Sequence, residues 1–280
     1  MSMEANQKVT APEDAFRFGQ NWQRYISDYL TPERERIAAE SLASLIESDL
    51  DGMTFLDIGG GSGLFSLCAH RAGAREVITI DVDPDSVAAS GSLRQSIGSP
   101  ESWHVIEGSI LDDTFVERLP QADVVYSWGV LHHTGDMDHA LRNAAQLVAD
   151  GGLFCIAIYN RVTGPFLDSE RWLRIKRRYN HSRRPVQVLM ETAYTAYWLA
   201  GTLRARKNPF KEAREYKHSR GMALRTDLID WLGGYPYEFA TVDEIVDFCE
   251  QELGFRKRKV IPEHPLGTGN NQFVFEKLAG

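Results

Sequence analysis

An acid, Asp57, lies near the end of the apolar run Phe55-Leu-Asp-Ile58, and glycines follow at 59, 60, 61 and 63, before a helical-looking stretch from Leu64 to Ala72. Glycines permit positive φ and let a ligand approach the main chain where a Cβ would collide. The helix behind them starts with unpaired N–H groups, a setting for a ligand with negative or polar groups. A second run, Arg75 to Ile80, leads into Asp81, where a carboxylate can accept hydrogen bonds from both hydroxyls of a ribose. Asp81 alone could be a helix cap or a solvated turn. Together with the glycine loop they point to a nucleoside cofactor. More polar residues end two later apolar runs: His132 and His133 beyond Tyr126-Ser-Trp128, and Tyr159 and Asn160 beyond Leu153 to Ile158. A histidine of near-neutral pKa in that place could serve as a base, or could fix the start of the next helix. Tyr159 and Asn160 could orient a substrate.

The dinucleotide fingerprint Gly-x-Gly-x-x-Gly would put its third glycine at Leu64, which argues against a nicotinamide-dependent oxidoreductase. Asp57-x-Gly-x-Gly-x-Gly63 instead resembles the first motif of class I S-adenosylmethionine-dependent methyltransferases, in particular the small-molecule type of ubiquinone and secondary metabolism. The resemblance implies that Asp57, Gly59, Gly60, Gly61 and Gly63 hold the methionine end of the cofactor, that Asp81 binds the ribose and that Val82 packs on the adenine. Where the family often has an acid for the adenine amino group, this chain has Ser109, so Ser109 or the backbone of Ile110 is expected there, ahead of Asp112 and Asp113. Ser127 and Trp128 are expected to line the cofactor, with core packing the alternative for Trp128. His133 and Tyr159 are the expected catalytic pair. His132, Asn160, Tyr235, Tyr237 and Glu238 are expected on the acceptor side; hydrophobic anchoring of a lid is the alternative for the segment Asp230-Trp-Leu-Gly-Gly-Tyr-Pro-Tyr-Glu-Phe239.

The implied chemistry is transfer of a methyl group to oxygen or nitrogen of a small, polar or anionic acceptor. The leaving sulfur is neutral, so the protein needs mainly to align the nucleophile and exclude water. Transfer or cyclisation of the cofactor's aminocarboxypropyl arm would use the same binding motifs. So would a non-catalytic cofactor-binding partner subunit.

The elements that must position these residues alternate. Strands are expected near 53–58, 76–81, 103–107, 122–127 and 153–159, with helices at 64–72, 84–97 and from Asp136 to Ala149. The apolar fifth strand suits a parallel sheet covered on both faces. Thr31-Pro32 opens a helix before the first strand, and residues 13–30 read as an amphipathic lead-in. Thr241-Val-Asp-Glu244 is a capping box whose helix ends near Gly254, and Arg256 to Ile261 and Gln272 to Leu278 read as closing strands. The expected fold is α/β: a Rossmann-like, seven-stranded, mostly parallel sheet with helices on both faces, a reversed last strand and a helical insertion after strand five. Its parts would be an N-terminal helical cap (1–50), a cofactor-binding core (51–160), a basic and apolar insertion forming an acceptor lid (161–240) and a closing helix with two strands (241–280).

Charge separates these parts. Of the 280 residues, 161–225 hold sixteen Lys and Arg against five Asp and Glu, while the chain as a whole carries −8. The basic insertion reads as a solvated surface or as a match for an anionic acceptor; RNA is disfavoured by the negative total and the lack of a recognised binding module. The apolar stretch Val186 to Leu203 is interrupted by Gln187, Glu191 and threonines, so it falls short of a membrane span. It is expected to pack on the lid or to meet a second copy in a homodimer. Cys68, Cys155 and Cys249 are too dispersed for a disulfide framework or a CxxC metal site, and no other metal site is expected. That usage, and an N-terminus without an apolar core, fits a reducing cytoplasm.

Overall fold

The computed structural model describes residues 30–164, 168–209, 211–212, 231–265 and 267–278. The lead-in at 13–29 and the start of the aromatic segment at Asp230 lie outside them. The first helix, α1 (Pro32–Ile46), begins as the sequence indicates, with Thr31 accepting from the Arg34 N–H and proline in the first turn. It buries Ala38, Leu42, Leu45 and Ile46.

Strands and helices then alternate: β1 (Thr54–Ile58), α2 (Leu64–Arg71), β2 (Glu76–Asp81), α3 (Pro84–Ser96), β3 (Trp103–Glu107), a one-turn α4 (Asp113–Val116), β4 (Ala122–Trp128), a 3₁₀ turn (Leu131–His133), α5 (Met137–Gln146) and β5 (Val148–Tyr159). Two helices follow β5, α6 (Ser169–Asn180) and α7 (Arg184–Arg204). The chain closes with α8 (Val242–Asp247), β6 (Phe255–Ile261) and β7 (Asn270–Lys277). The sheet order is β3-β2-β1-β4-β5-β7-β6. Only β7 is reversed; it runs antiparallel to both β5 and β6.

β1 is buried from end to end. Its residues alternate between two cores, Leu56 and Ile58 facing one helical layer and Phe55 the other, as the two-residue period of a covered strand requires. Chain order reverses between β1 and β4, so the crevice beyond their carboxyl ends is the topological switch point, where ligands bind in open α/β sheets.

Two boundaries differ from expectation. The helix opened by Asp136 stops at Gln146, because Val148 already pairs with Ala122. The Asp150-Gly-Gly152 turn therefore lies inside β5, where the register shifts, and does not precede it. The helix after Thr241 stays α-helical only to Asp247 and continues as a π-turn through Glu252; its capping box forms as the sequence suggests.

The insertion leaves and rejoins the sheet at one place. Asn160, just past β5, bridges Ala240, just before α8. Trp172, Tyr179, Leu232, Tyr237 and Phe239 make a third, separate core there. On α7 only Glu191 is buried, and Leu189 (68%), Tyr197 and Leu203 stay exposed. Only part of its apolar surface packs on the lid: Met190 and Tyr194 lie against that third core, with the Tyr194 ring 5.5 Å from that of Trp172. No described helix is long and apolar enough to cross a membrane.

Candidate active site

The glycine loop is held tightly to the end of β2. Gly59 and Gly60 both donate to the Ile80 carbonyl, at 2.8 and 3.2 Å. Gly61 donates to Asp81 Oδ2 at 3.0 Å and Gly63 to the Gly60 carbonyl at 2.8 Å. Gly59, Gly61 and Gly63 have positive φ. A Cβ on Gly59 would collide with the Val130 side chain, and one on Gly60 with Thr79 Cγ2. The sequence suggested unpaired N–H groups at the start of the following helix; the N–H groups of these four glycines are themselves used within the protein, so what the glycines offer a ligand is close approach and not a nest of donors. An anion here would face two carboxylates.

Asp57 is buried beneath the loop. Trp103 Nε1–H donates to Thr79 Oγ1 (2.8 Å), Thr79 and Ser66 share a hydrogen bond (2.6 Å), and the Ser66 hydroxyl donates to Asp57 Oδ2 (2.7 Å). Ser66 has one hydroxyl proton, so the chain is ordered: Trp103 to Thr79 to Ser66 to Asp57. Burial, with the charge of Asp81 adding to it, pushes the Asp57 pKa up to about 7, against the pull of Ser66.

Asp81 is half-buried at the tip of β2. Its Oδ2 accepts from Gly61 and its Oδ1 from the Asp83 N–H at 2.9 Å. Burial raises its pKa to about 6 despite those donors and the Val82 N–H. An ionised carboxylate offers about four acceptor positions, so with Gly61, Asp83 and Val82 as donors room for a ribose hydroxyl remains. Val82 beside it is half-buried. Asp83 caps α3, as its position suggests.

Around the expected adenine position, Ser109 is buried with its Oγ accepting from Leu111 N–H, and Ile110 is buried beside it. Asp112 caps α4, and Asp113 bonds His139 and Asn143. Ser127 lies under the loop and donates to the Ile58 carbonyl at 3.1 Å, while Trp128 is 44% exposed.

His132 and His133 sit at the exit of β4, with Tyr159 against both: ring centroids are 4.1 Å from His132 and 5.3 Å from His133. The Trp231–Phe239 segment lies across this exit. His133 Nδ1–H donates to the Pro236 carbonyl, a tautomer forced by an acceptor that has no proton to give, which leaves the lone pair on Nε2. Burial pushes its pKa down to about 4, so it is a weaker base than the near-neutral histidine the sequence suggests. His132 is fully buried; its Nδ1 accepts from Tyr159 N–H, and its Nε2 has no hydrogen-bond partner among the described residues.

Three residues expected on the acceptor side make structural contacts instead. The Glu238 carboxylate caps α5, accepting from Gly135 and Met137 N–H at 3.1 and 3.2 Å. Asn160 donates to the His264 and Gly267 carbonyls and accepts from Asn271. Tyr237 is buried between Tyr159, Trp231 and Phe239. Tyr235 is half-buried, with His181 opposite its ring. The anchoring alternative therefore describes Glu238 and Tyr237 better than pocket lining does.

Lys176 escaped the sequence reading. It is 0% exposed, donates to the Trp231 carbonyl, and holds Nζ 3.8 Å from the Trp231 ring centroid and 4.8 Å from that of Tyr237. The signal was available: Trp172, Lys176 and Tyr179 fall on one face of a helix at i, i+4 and i+7. A hollow of about 330 Å³ between Arg161, Asp168 and Phe239 lies past the end of β5, away from the glycine loop.

A crevice at the switch point, glycines whose N–H groups are used within the protein and two acids with raised pKa lie together here. Comparison with known proteins gives the family. The family described as "Methyltransferase domain" matches residues 27–218, and the chain belongs to that family, among the class I, S-adenosylmethionine-dependent methyltransferases. It is 31% identical over 147 residues to the ribosomal protein L11 methyltransferase of Klebsiella pneumoniae, covering 47% of each protein. It is 30% identical over 112 residues to the ubiquinone biosynthesis O-methyltransferase of Rhizobium rhizogenes, covering 40% of this chain and 43% of that one. The chain thus spans about half the length of the curated relatives it matches. The magnesium protoporphyrin IX methyltransferase of Synechocystis, solved with bound SAH, superposes with a TM-score of 0.53 at 13% identity, over 92% of this chain and 93% of that one. An O-methyltransferase family 2 protein from Planctomyces limnophilus, in complex with apigenin, gives 0.53 at 13% over 95% and 62%. These structures share the fold.

Proposed function

We propose that the chain transfers a methyl group from S-adenosylmethionine to an oxygen or nitrogen atom of a small, polar or anionic acceptor. The observation that carries this reading is the pairing of a donor-poor glycine loop with Asp57 and Asp81. A pyrophosphate would find no free glycine N–H and two repelling acids there, whereas a sulfonium nucleoside brings positive charge and a diol.

When bound, S-adenosylmethionine supplies a methyl carbon that bonds the acceptor's lone pair as the carbon–sulfur bond breaks and sulfur keeps the electrons. Asp81 would hold the ribose with the acceptor capacity its backbone donors leave. Asp57 would set the field at the methionine end, and Ser109 and Ile110 would border the adenine. The exit of β4, walled by His132, His133 and Tyr159, would receive the acceptor and keep water from it. With its pKa near 4, His133 is neutral at physiological pH and would take up a proton only transiently. The enclosure of that exit by Trp231, Tyr237 and α6 supports a small acceptor, even though one relative is named for a ribosomal protein.

Calorimetric titration with S-adenosylhomocysteine, followed by mass analysis of products from S-adenosylmethionine and candidate acceptors, tests the reading. Heat of binding and release of S-adenosylhomocysteine are expected. No binding at millimolar ligand, or methylthioadenosine as product, would overturn it.

A further inference from the structure

The outward face of α7 is apolar, and the described residues leave it uncovered. Val186, Val188, Leu189, Tyr197, Leu199 and Leu203 are six of the ten large apolar side chains exposed among those residues, so exposure of this kind is concentrated on one helix. Its inner side holds to α6 through Glu191, which accepts from the Tyr179 hydroxyl, and through Tyr194 against Trp172. Opposite, positions 186, 189, 193, 196, 200 and 203 fall in one stripe at alternating spacings of three and four, every one exposed and none charged. The stripe runs about 26 Å along the helix. A continuous apolar surface of that kind marks a place of interaction.

Charge selects the partner. From Arg171 to Pro209 the chain has ten Lys and Arg against one acid, and of these only Lys176 and Glu191 are buried. Arg183 and Arg184 precede the stripe, and Arg204, Arg206 and Lys207 follow it, all exposed. Arg184 meets Glu191 and Lys207 meets Glu212, which leaves both ends positive. A second copy fits poorly: two α7 helices in register, parallel or antiparallel, set arginine ends against arginine ends. A span fits no better, since no described helix is long and apolar enough to cross a membrane. An apolar face with basic residues at both ends suits a helix lying in the plane of a bilayer, its apolar side toward the acyl chains and its arginines on anionic headgroups. The whole chain carries −8 despite this basic segment, so an anionic surface that draws α6 and α7 in turns the acidic remainder away.

We propose that the outward face of α7 docks the protein on an anionic lipid bilayer, with Leu189, Tyr197 and Leu203 entering the interface and the arginines at both helix ends contacting headgroup phosphates. The inner side of the same helix packs on the third core, so docking sets the insertion, and not the sheet, against the lipid.

The test uses the full chain with vesicles of phosphatidylcholine alone and of phosphatidylcholine mixed with phosphatidylglycerol. Cosedimentation should show the mixed vesicles bound about tenfold more tightly, the effect of one or two arginines near the surface, and the difference should shrink as salt rises. The Leu189→Ser, Leu203→Ser double variant should lose about tenfold or more in affinity for the mixed vesicles while melting as the wild type does. The Arg183→Gln, Arg204→Gln, Arg206→Gln triple variant should lose the preference for phosphatidylglycerol, and it serves if the leucine variant does not fold. Cys68, Cys155 and Cys249 are buried, so an environment-sensitive thiol dye attached at Thr192→Cys reports on α7, and its emission should move to the blue on the mixed vesicles. No binding to those vesicles, variants that bind as the wild type does, or an unmoved dye overturns the proposal. So does a dimer in light scattering that the leucine variant breaks, which would give the face to a second copy.

Discussion

Replacing Asp81 by asparagine should weaken the cofactor complex without weakening the free protein. In the wild type the carboxylate accepts from Gly61 and Asp83, with the Val82 N–H also favouring its ionised form, and on the proposed reading its remaining acceptor capacity meets the ribose hydroxyls. Asparagine has one carbonyl oxygen, and its amino group must point at a backbone N–H or at a ribose hydroxyl. Hydrogen bonds to charged groups contribute about 1.5–3 kcal/mol against about 1 kcal/mol for neutral ones. Losing the charge from both ribose bonds and misdirecting one of them costs about 2–3 kcal/mol, or roughly 30- to 150-fold in Kd. The free protein should respond in the opposite direction. A carboxylate raised from 3.8 to about 6 destabilises the ionised native state by about 3 kcal/mol above pH 7, and the amide relieves that, less the cost of its new donor clash. Calorimetry with S-adenosylhomocysteine at pH 8 and melting of the ligand-free proteins measure both quantities. An unchanged Kd, or a loss of affinity accompanied by a lower melting temperature, would refute the reasoning.

Three further perturbations follow from the same geometry. Gly60→Ala places a methyl group against Thr79 Cγ2 and 3.1 Å from Asp57 Oδ2; thermal melting should show a loss of about 1–3 kcal/mol, and cofactor affinity should fall with it. Asp57 and Asp81 have folded pKa values of about 7 and about 6, both above the 3.8 of the unfolded chain. Their contribution to stability is therefore fullest below pH 4 and is lost as pH rises through 6 to 7. The urea midpoint of the ligand-free protein should drop between pH 5 and 8 more steeply than in the Asp57→Asn, Asp81→Asn double variant, and equal slopes would refute the assignment. Glu238→Ala uncaps Gly135 and Met137 and should cost about 1–2 kcal/mol in denaturant melts, with little change in S-adenosylhomocysteine affinity.

The fold and the local structure around the glycine loop were legible because each rests on local signals. Strand endings at Asp57 and Asp81, the glycine spacing and the capping residues Thr31, Asp83 and Thr241 act within a few residues of themselves, and the structure forms each as read. The acceptor half was legible only in outline. Glu238 looked like a pocket acid because nothing near it in sequence reveals that it caps a helix a hundred residues earlier. Lys176 was hidden in a run of surface-like arginines, and its burial depends on Trp231 and Tyr237 arriving from the far side of the insertion. Nor does the sequence show that the N–H groups of Gly59, Gly60 and Gly61 are used within the protein, because their acceptors, the Ile80 carbonyl and Asp81, belong to the neighbouring strand.

The two halves carry opposite electrostatic debts. On the cofactor side, Asp57 and Asp81 are acids held above their usual pKa by burial; on the acceptor side, Lys176, His132 and His133 are bases held below theirs. Each group is least stable in its charged form when the crevice holds no ligand, so the arrangement adds nothing to folding. On the cofactor side it favours a cationic methyl donor beside the acids. Methyl transfer removes the positive charge from that donor, so the acids lose their partner in the same step and S-adenosylhomocysteine should bind more weakly than S-adenosylmethionine in calorimetric titration.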